Sequence, residues 1–179
     1  GREFTNDKAS DFNAISTKVR SMKPDVVMYG GMDATAGPMA KQMKQLGMKS
    51  TLLAGDGVCS PEFIKLAGNA ADIMKCSNAG EAVEKLAKGA DFVAKYKKRF
   101  NTDVQVYSPY SYDAVFVIVE AMKKAGKADR AAITTALRDT NYDGLTGKIA
   151  FDAKGDIKDG AISMFEVKDG KLAYVSTVR

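Results

Sequence analysis

Apolar positions recur at helical spacing at Phe12, Ile15, Val19 and Met22, and Ser10 is placed to cap that helix. Pro24 ends it. Val26, Val27, Met28 and Tyr29 then form an apolar run too short for a helix, which predicts a buried strand. Gly30-Gly31 permits backbone angles that other residues resist. Met39, Met43 and Leu46 share one face of the next predicted helix, and Gly47 stops it. The same grammar returns at a strand over 51–54, which enters Gly55-Asp56-Gly57, then Pro61 and a short helix over 61–66 ending near Gly68. A third short strand covers 73–76. The alternation of helix and strand predicts an α/β fold with a parallel sheet and right-handed crossovers. Glycine corners at the carboxyl ends of neighbouring strands are where such sheets present ligand-binding groups. The two corners are therefore expected to face one cleft.

After Ser77-Asn78-Ala79-Gly80 the texture changes. Helices are predicted over 82–100, 111–125 and 129–138. Phe92, Tyr96 and Phe100 lie four apart and are expected to pack together. Val115, Ile118, Val119 and Met122 form the expected core face of the second helix. The aromatic segment between the first two helices carries Tyr107, Pro109 and Tyr110, with Tyr112 just beyond; it reads either as cover for a core edge or as a rim that touches a ligand. The chain ends β-rich. A strand over 147–151 runs into a polar turn, Asp152-Ala153-Lys154-Gly155-Asp156. Strands at 164–167 and 171–178 flank Asp169-Gly170, a two-residue hairpin signal.

The 179 residues suffice for one domain or two small lobes. The net charge of +5 comes mostly from lysines scattered along helices. Lys95, Lys97, Lys98 and Arg99 read as a solvated helical face, and no basic, aromatic-interleaved segment points to nucleic acid. No apolar run approaches the ~20 residues of a membrane span. With no histidine, the Ser–His and Cys–His catalytic pairs and the commonest zinc ligand are missing. With no GxGxxG or P-loop either, the chain is expected to be no enzyme, and to need no cofactor or metal. Cys59 and Cys76 read either as a disulfide in an oxidising compartment or as two buried thiols; spacing leaves both open. No secretory signal is present, and Gly1-Arg2-Glu3 does not read as a natural start. A mature product or a piece of a longer protein is the expectation.

Four motifs occur in order: Asp25-Val26-Val27-Met28-Tyr29-Gly30-Gly31, Gly55-Asp56-Gly57, Tyr110-Ser111-Tyr112-Asp113-Ala114 and Phe151-Asp152-Ala153-Lys154-Gly155-Asp156. In that order and at similar spacing they resemble the carboxyl-terminal half of the periplasmic branched-chain amino-acid (Leu/Ile/Val)-binding proteins of ABC transporters. The resemblance spans essentially the whole chain. It implies a type I periplasmic-binding-protein fold of two α/β lobes with the ligand between them. Of this, 1–76 would be part of the second lobe, 77–80 a crossover, 81–160 a helical part of the first lobe, and 161–179 a hairpin returning toward the second. The amino-terminal half, which in the family holds the ligand's carboxylate, would be supplied from outside this chain, or self-association would complete the fold.

The implied function is capture of an amino acid in the periplasm for uptake, with the transporter's membrane subunits as partners. The alternative is a ligand-sensing domain of a receptor or regulator on the same fold. In the family an acidic residue after the second glycine-flanked strand neutralises the ligand's ammonium; the matching position is Asp56. Met32 stands where relatives often carry an aromatic that packs on the ligand. Asp33 reads as a second ammonium partner or as the cap of the following helix. Tyr107 matches a region that contributes an aromatic from the other lobe, with Tyr110 as the alternative. The periplasmic reading also implies a Cys59–Cys76 disulfide.

Closing a loop of that size should contribute about 3 kcal/mol in the chain-entropy model. Peptide mapping without reductant should recover the two cysteines in one linked fragment; free, alkylatable thiols in the native protein would refute the pairing.

Overall fold

A computed structural model describes residues 1–179 and divides them into two compact units. Unit 1 comprises Gly1–Ala79 and Ile162–Val178; unit 2 comprises Gly80–Ala161 and Arg179.

Unit 1 is one five-stranded sheet with helices packed on it. In chain order it holds α1 (Asn13–Ser21), β1 (Val26–Tyr29), α2 (Asp33–Gln45), β2 (Thr51–Ala54), α3 (Pro61–Ala67) and β3 (Met74–Ala79). β1 pairs with β2, and β2 with β3, all parallel. The returning β6 (Ile162–Lys168) lies antiparallel against β3 and forms a hairpin with β7 (Lys171–Val178). Asp169 and Gly170 both adopt positive φ, as a two-residue hairpin turn requires. Side chains alternate across a strand, so Leu52, Ala54, Met74 and Cys76 point into a core shared with Met39, Met43 and Phe63. Gly47 and Gly68, both at positive φ, end α2 and α3. Cys59 and Cys76, both fully buried, form a disulfide between the turn after β2 and the middle of β3.

Two expectations for this unit are corrected. Ser10 does not cap α1: its carbonyl accepts a bond from the Gln42 side-chain amide, and Asp11 instead accepts the Asn13 backbone N–H at 2.9 Å. α1 begins at Asn13 with Phe12 in the cap position, so Ser10 lies too far upstream to cap it. β1 is not a buried strand either. It sits at the sheet edge, with Val26 and Met28 exposed and only Val27 and Tyr29 turned toward the core. An unbroken apolar run predicts burial on both faces, but this chain supplies cover on one.

Unit 2 contains α4 (Gly89–Phe100), α5 (Ser108–Ala125), α6 (Arg130–Leu137) and a two-stranded ribbon of β4 (Tyr142–Asp143) and β5 (Lys148–Ile149). The helix expected over 82–100 breaks into a 3₁₀ turn at Val83–Lys85 and then α4. The chain folds back so tightly there that a Cβ at Gly89 would lie 1.9 Å from the Val83 carbonyl oxygen. Phe92, Tyr96 and Phe100 pack with ring centroids 5.8 and 4.8 Å apart, and Tyr112 and Phe116 of α5 extend the run. No helix of the molecule is long and apolar enough to cross a membrane.

The face of α5 expected as core is left uncovered in this chain. Val115, Ile118, Val119 and Met122 are exposed, Val115 at 61%. The buried stripe is Pro109, Asp113, Val117 and Ala121, one residue per turn. α5 therefore carries apolar residues on two faces, one packed within this chain and one bare. Asp113 sits in that stripe at 1% exposure. Its carboxylate accepts the backbone N–H groups of Leu145 (2.8 Å) and Thr146 (2.7 Å) and the Thr146 hydroxyl (2.6 Å). A side chain at Gly144 would strike that carboxylate. One buried charge thus ties the β4–β5 loop to α5.

Replacing Asp113 by Ala leaves two backbone donors unpaired, at a cost of about 3 kcal/mol. The urea midpoint should fall, and amide exchange at Leu145 and Thr146 should quicken; an unchanged midpoint would refute the anchoring role. The bare apolar residues of α5 lie together on one helix face, as at interaction surfaces. In sedimentation velocity the chain alone should associate as its concentration rises, and Val115→Lys with Ile118→Lys should suppress this. A cooperatively melting monomer at every concentration would count against that reading.

Candidate functional site

The two glycine corners of unit 1 meet. β1 and β2 run parallel in direct register, Tyr29 opposite Ala54, so both strands release the chain at one end of the sheet. Beyond β1, Gly30-Gly31-Met32 leads into α2; beyond β2, Gly55 leads into a 3₁₀ turn at Asp56–Val58. A Cβ on Gly57 would lie 2.5 Å from the Met32 sulfur and 3.1 Å from the Gly31 carbonyl oxygen. A side chain there would displace the Met32 thioether and press on the Gly31 carbonyl. Gly31 is constrained in turn by the Tyr29 ring, which occupies the space a side chain there would need. The Tyr29 hydroxyl shares a 2.6 Å hydrogen bond with Thr35, whose own hydroxyl reaches the Met32 carbonyl. The first corner is therefore held from strand end to first helical turn.

At the second corner Val58 and Cys59 are fully buried, while Asp56 is exposed at the start of the turn. The turn closes with Val58 N–H on the Gly55 carbonyl and Cys59 N–H on that of Asp56. Met32 is 57% exposed beside it. A carboxylate, an apolar thioether and backbone groups thus share one end of the sheet. That combination suits a small molecule with a cationic and an apolar part.

Asp33 is placed differently from Asp56. It opens α2; one carboxylate oxygen accepts the Ala34 N–H at 2.8 Å, and the other accepts the Ser60 hydroxyl at 2.6 Å. Ser60 also accepts the Phe63 N–H, capping α3. In unit 2, Tyr107 immediately precedes α5 and is half exposed. Tyr110 lies over Gly80, which has φ +85°, and its hydroxyl donates to the Glu81 carbonyl at 3.2 Å. Burial, then the nearby Glu81 charge, raises its phenol above the usual range. Tyr110 is thereby occupied in fastening backbone. Ser60, Tyr29 and Thr35 were not singled out from sequence. Ser60 was findable, since Ser-Pro-Glu is a helix-start signal; the Tyr29–Thr35 bond had no local signature.

Residues 1–171 match the periplasmic binding protein family. The chain belongs to that family. It is 29% identical over 164 residues to a leucine-, isoleucine-, valine-, threonine- and alanine-binding protein of Pseudomonas aeruginosa, covering 92% of this chain and 44% of that one. It is 31% identical over 164 residues to the Leu/Ile/Val-binding protein BraC3 of Rhizobium johnstonii, covering 90% and 44%. Among solved structures, the leucine-binding protein LivK of Thermotoga maritima aligns at TM-score 0.90 and 27% identity, over 99% of this chain and 51% of its own. A solute-binding protein of R. palustris in complex with benzoate shares the fold at TM-score 0.76 and 18% identity, over 97% and 48%. The chain thus spans about half the length of the relatives it matches. Its type I periplasmic-binding-protein fold and its kinship with branched-chain amino-acid-binding proteins agree with the sequence reading. The curated relatives are named as amino-acid-binding proteins.

Proposed function

We propose that this periplasmic-binding-protein chain serves in capturing an α-amino acid outside the cytoplasmic membrane, for delivery to the membrane subunits of an ABC transporter. The observation that carries this is Asp56, an exposed carboxylate on a glycine-flanked turn at a strand's carboxyl end, with Met32 beside it. Two relatives are named for binding leucine, isoleucine and valine, which supports an aliphatic amino acid. A relative of the same fold carries benzoate, so the fold alone does not choose the ligand. In this reading Asp56 pairs with the ligand's ammonium and Met32 packs on its aliphatic part. Of the two tyrosines expected at the ligand, Tyr107 is the better candidate, because Tyr110 spends its ring on Gly80 and its hydroxyl on Glu81. The buried disulfide fits a periplasmic location, where disulfides persist. Unit 1 would be part of the second lobe and unit 2 part of the first.

The test is calorimetry on the intact protein that contains this chain, with leucine, isoleucine, valine, other amino acids and benzoate. Asp56→Ala leaves a buried ammonium unpaired, which should cost on the order of 3 kcal/mol, about a hundredfold in affinity. A variant that binds the best ligand as tightly as the parent removes Asp56 from the site. Tight binding of benzoate in preference to every amino acid overturns the ligand class.

A further inference from the structure

The turn that carries Asp56 is fastened from two directions. On one side Cys59 is joined to Cys76 in β3. On the other, Ser60 donates to Asp33 in the first turn of α2. Neither tie involves Asp56 itself, yet they hold the chain within four residues of it, one to β3 of the sheet and one to the helix α2. Between Asp56 and these ties, Val58 is fully buried and Gly57 rests against Met32 and the Gly31 carbonyl. The Ser60 hydroxyl is used twice, donating to Asp33 and accepting from Phe63, so the bond also sets where α3 begins.

We propose that Asp33 and Ser60 are positioning residues for ligand capture: their hydrogen bond, with the Cys59–Cys76 link, locks the Asp56 turn to the Met32 corner so that the carboxylate and the apolar contact are presented as one rigid wall. This rests on the amino-acid-capture reading. It assigns Asp33 a role other than direct pairing with an ammonium. Asp33 needs only an acceptor oxygen facing Ser60, not a charge, and that distinction makes the two roles separable. A wall ordered before binding loses less freedom when the ligand arrives, so loosening it weakens affinity without removing any ligand contact.

The experiment compares Asp33→Ala, Asp33→Asn, Ser60→Ala and Ser60→Thr in the intact protein that contains this chain, by calorimetry with leucine and by amide exchange at Val58 and Cys59. Asp33→Asn keeps one acceptor oxygen for Ser60 while giving up the Ala34 bond, and Ser60→Thr keeps the hydroxyl, so both should stay within about threefold of the parent. Asp33→Ala and Ser60→Ala should each lose up to about tenfold in affinity, the worth of one net hydrogen bond. The double Ala variant should lose little more than either single one, because both remove the same bond. Exchange at Val58 and Cys59 should quicken in the Ala variants alone. A loss in Asp33→Asn as large as in Asp33→Ala would make Asp33 a direct charge partner and overturn the proposal. So would unchanged affinity in the Ala variants. If the parent binds no amino acid, the capture reading fails by itself; exchange then decides the lock, and unchanged protection in the Ala variants overturns it.

Discussion

The arrangement at the candidate site depends on one constraint: two parallel strands in register must release the chain at the same end of the sheet. Once β1 and β2 are paired with Tyr29 opposite Ala54, their loops have to share a small space. Parallel strands cannot be joined by a tight turn, so each loop enters or leaves a helix and begins with backbone in unusual proximity. The glycines answer that crowding. Gly57 is small because Met32 and the Gly31 carbonyl are against it; Gly31 is small because Tyr29 is. Asp56 is displayed there because everything around it on its own turn is either buried or backbone.

Each unit ties segments near its core together through an aspartate that accepts from more than one donor. In unit 1 the Ser60 hydroxyl and the Asp33 carboxylate join two helix starts. In unit 2 the Asp113 carboxylate takes three donors from one loop. Burying a charge is costly unless its hydrogen bonds are made, and those three bonds meet that requirement. The exposed apolar residues of β1 and α5 are the counterpart. Their surfaces have the composition of a core, but the chain, half the length of its relatives, brings nothing to cover them.

Much of this was legible along the chain, because local rules act locally. The alternation of strand and helix over unit 1, the stops at Gly47 and Gly68, the Asp169-Gly170 hairpin and the aromatic run on α4 follow from spacing and backbone freedom. So did the family, through four motifs in order, and the meeting of the two glycine corners at one end of the sheet. The Cys59–Cys76 pairing was open on spacing and came with the resemblance.

What only the tertiary structure decided is which of several eligible groups are used. Sequence made Val115, Ile118, Val119 and Met122 as good a core face as Pro109, Asp113, Val117 and Ala121; the elements available for packing chose the second. It offered Ser10 as a cap, and Gln42, thirty-two residues on, engaged that segment instead. It left Asp33 between ligand partner and helix start, and a serine twenty-seven residues away engaged its carboxylate. Periodicity and capping report what a segment can do by itself. Burial and hydrogen-bond partners come from residues distant in sequence, so they emerge only when the chain is folded.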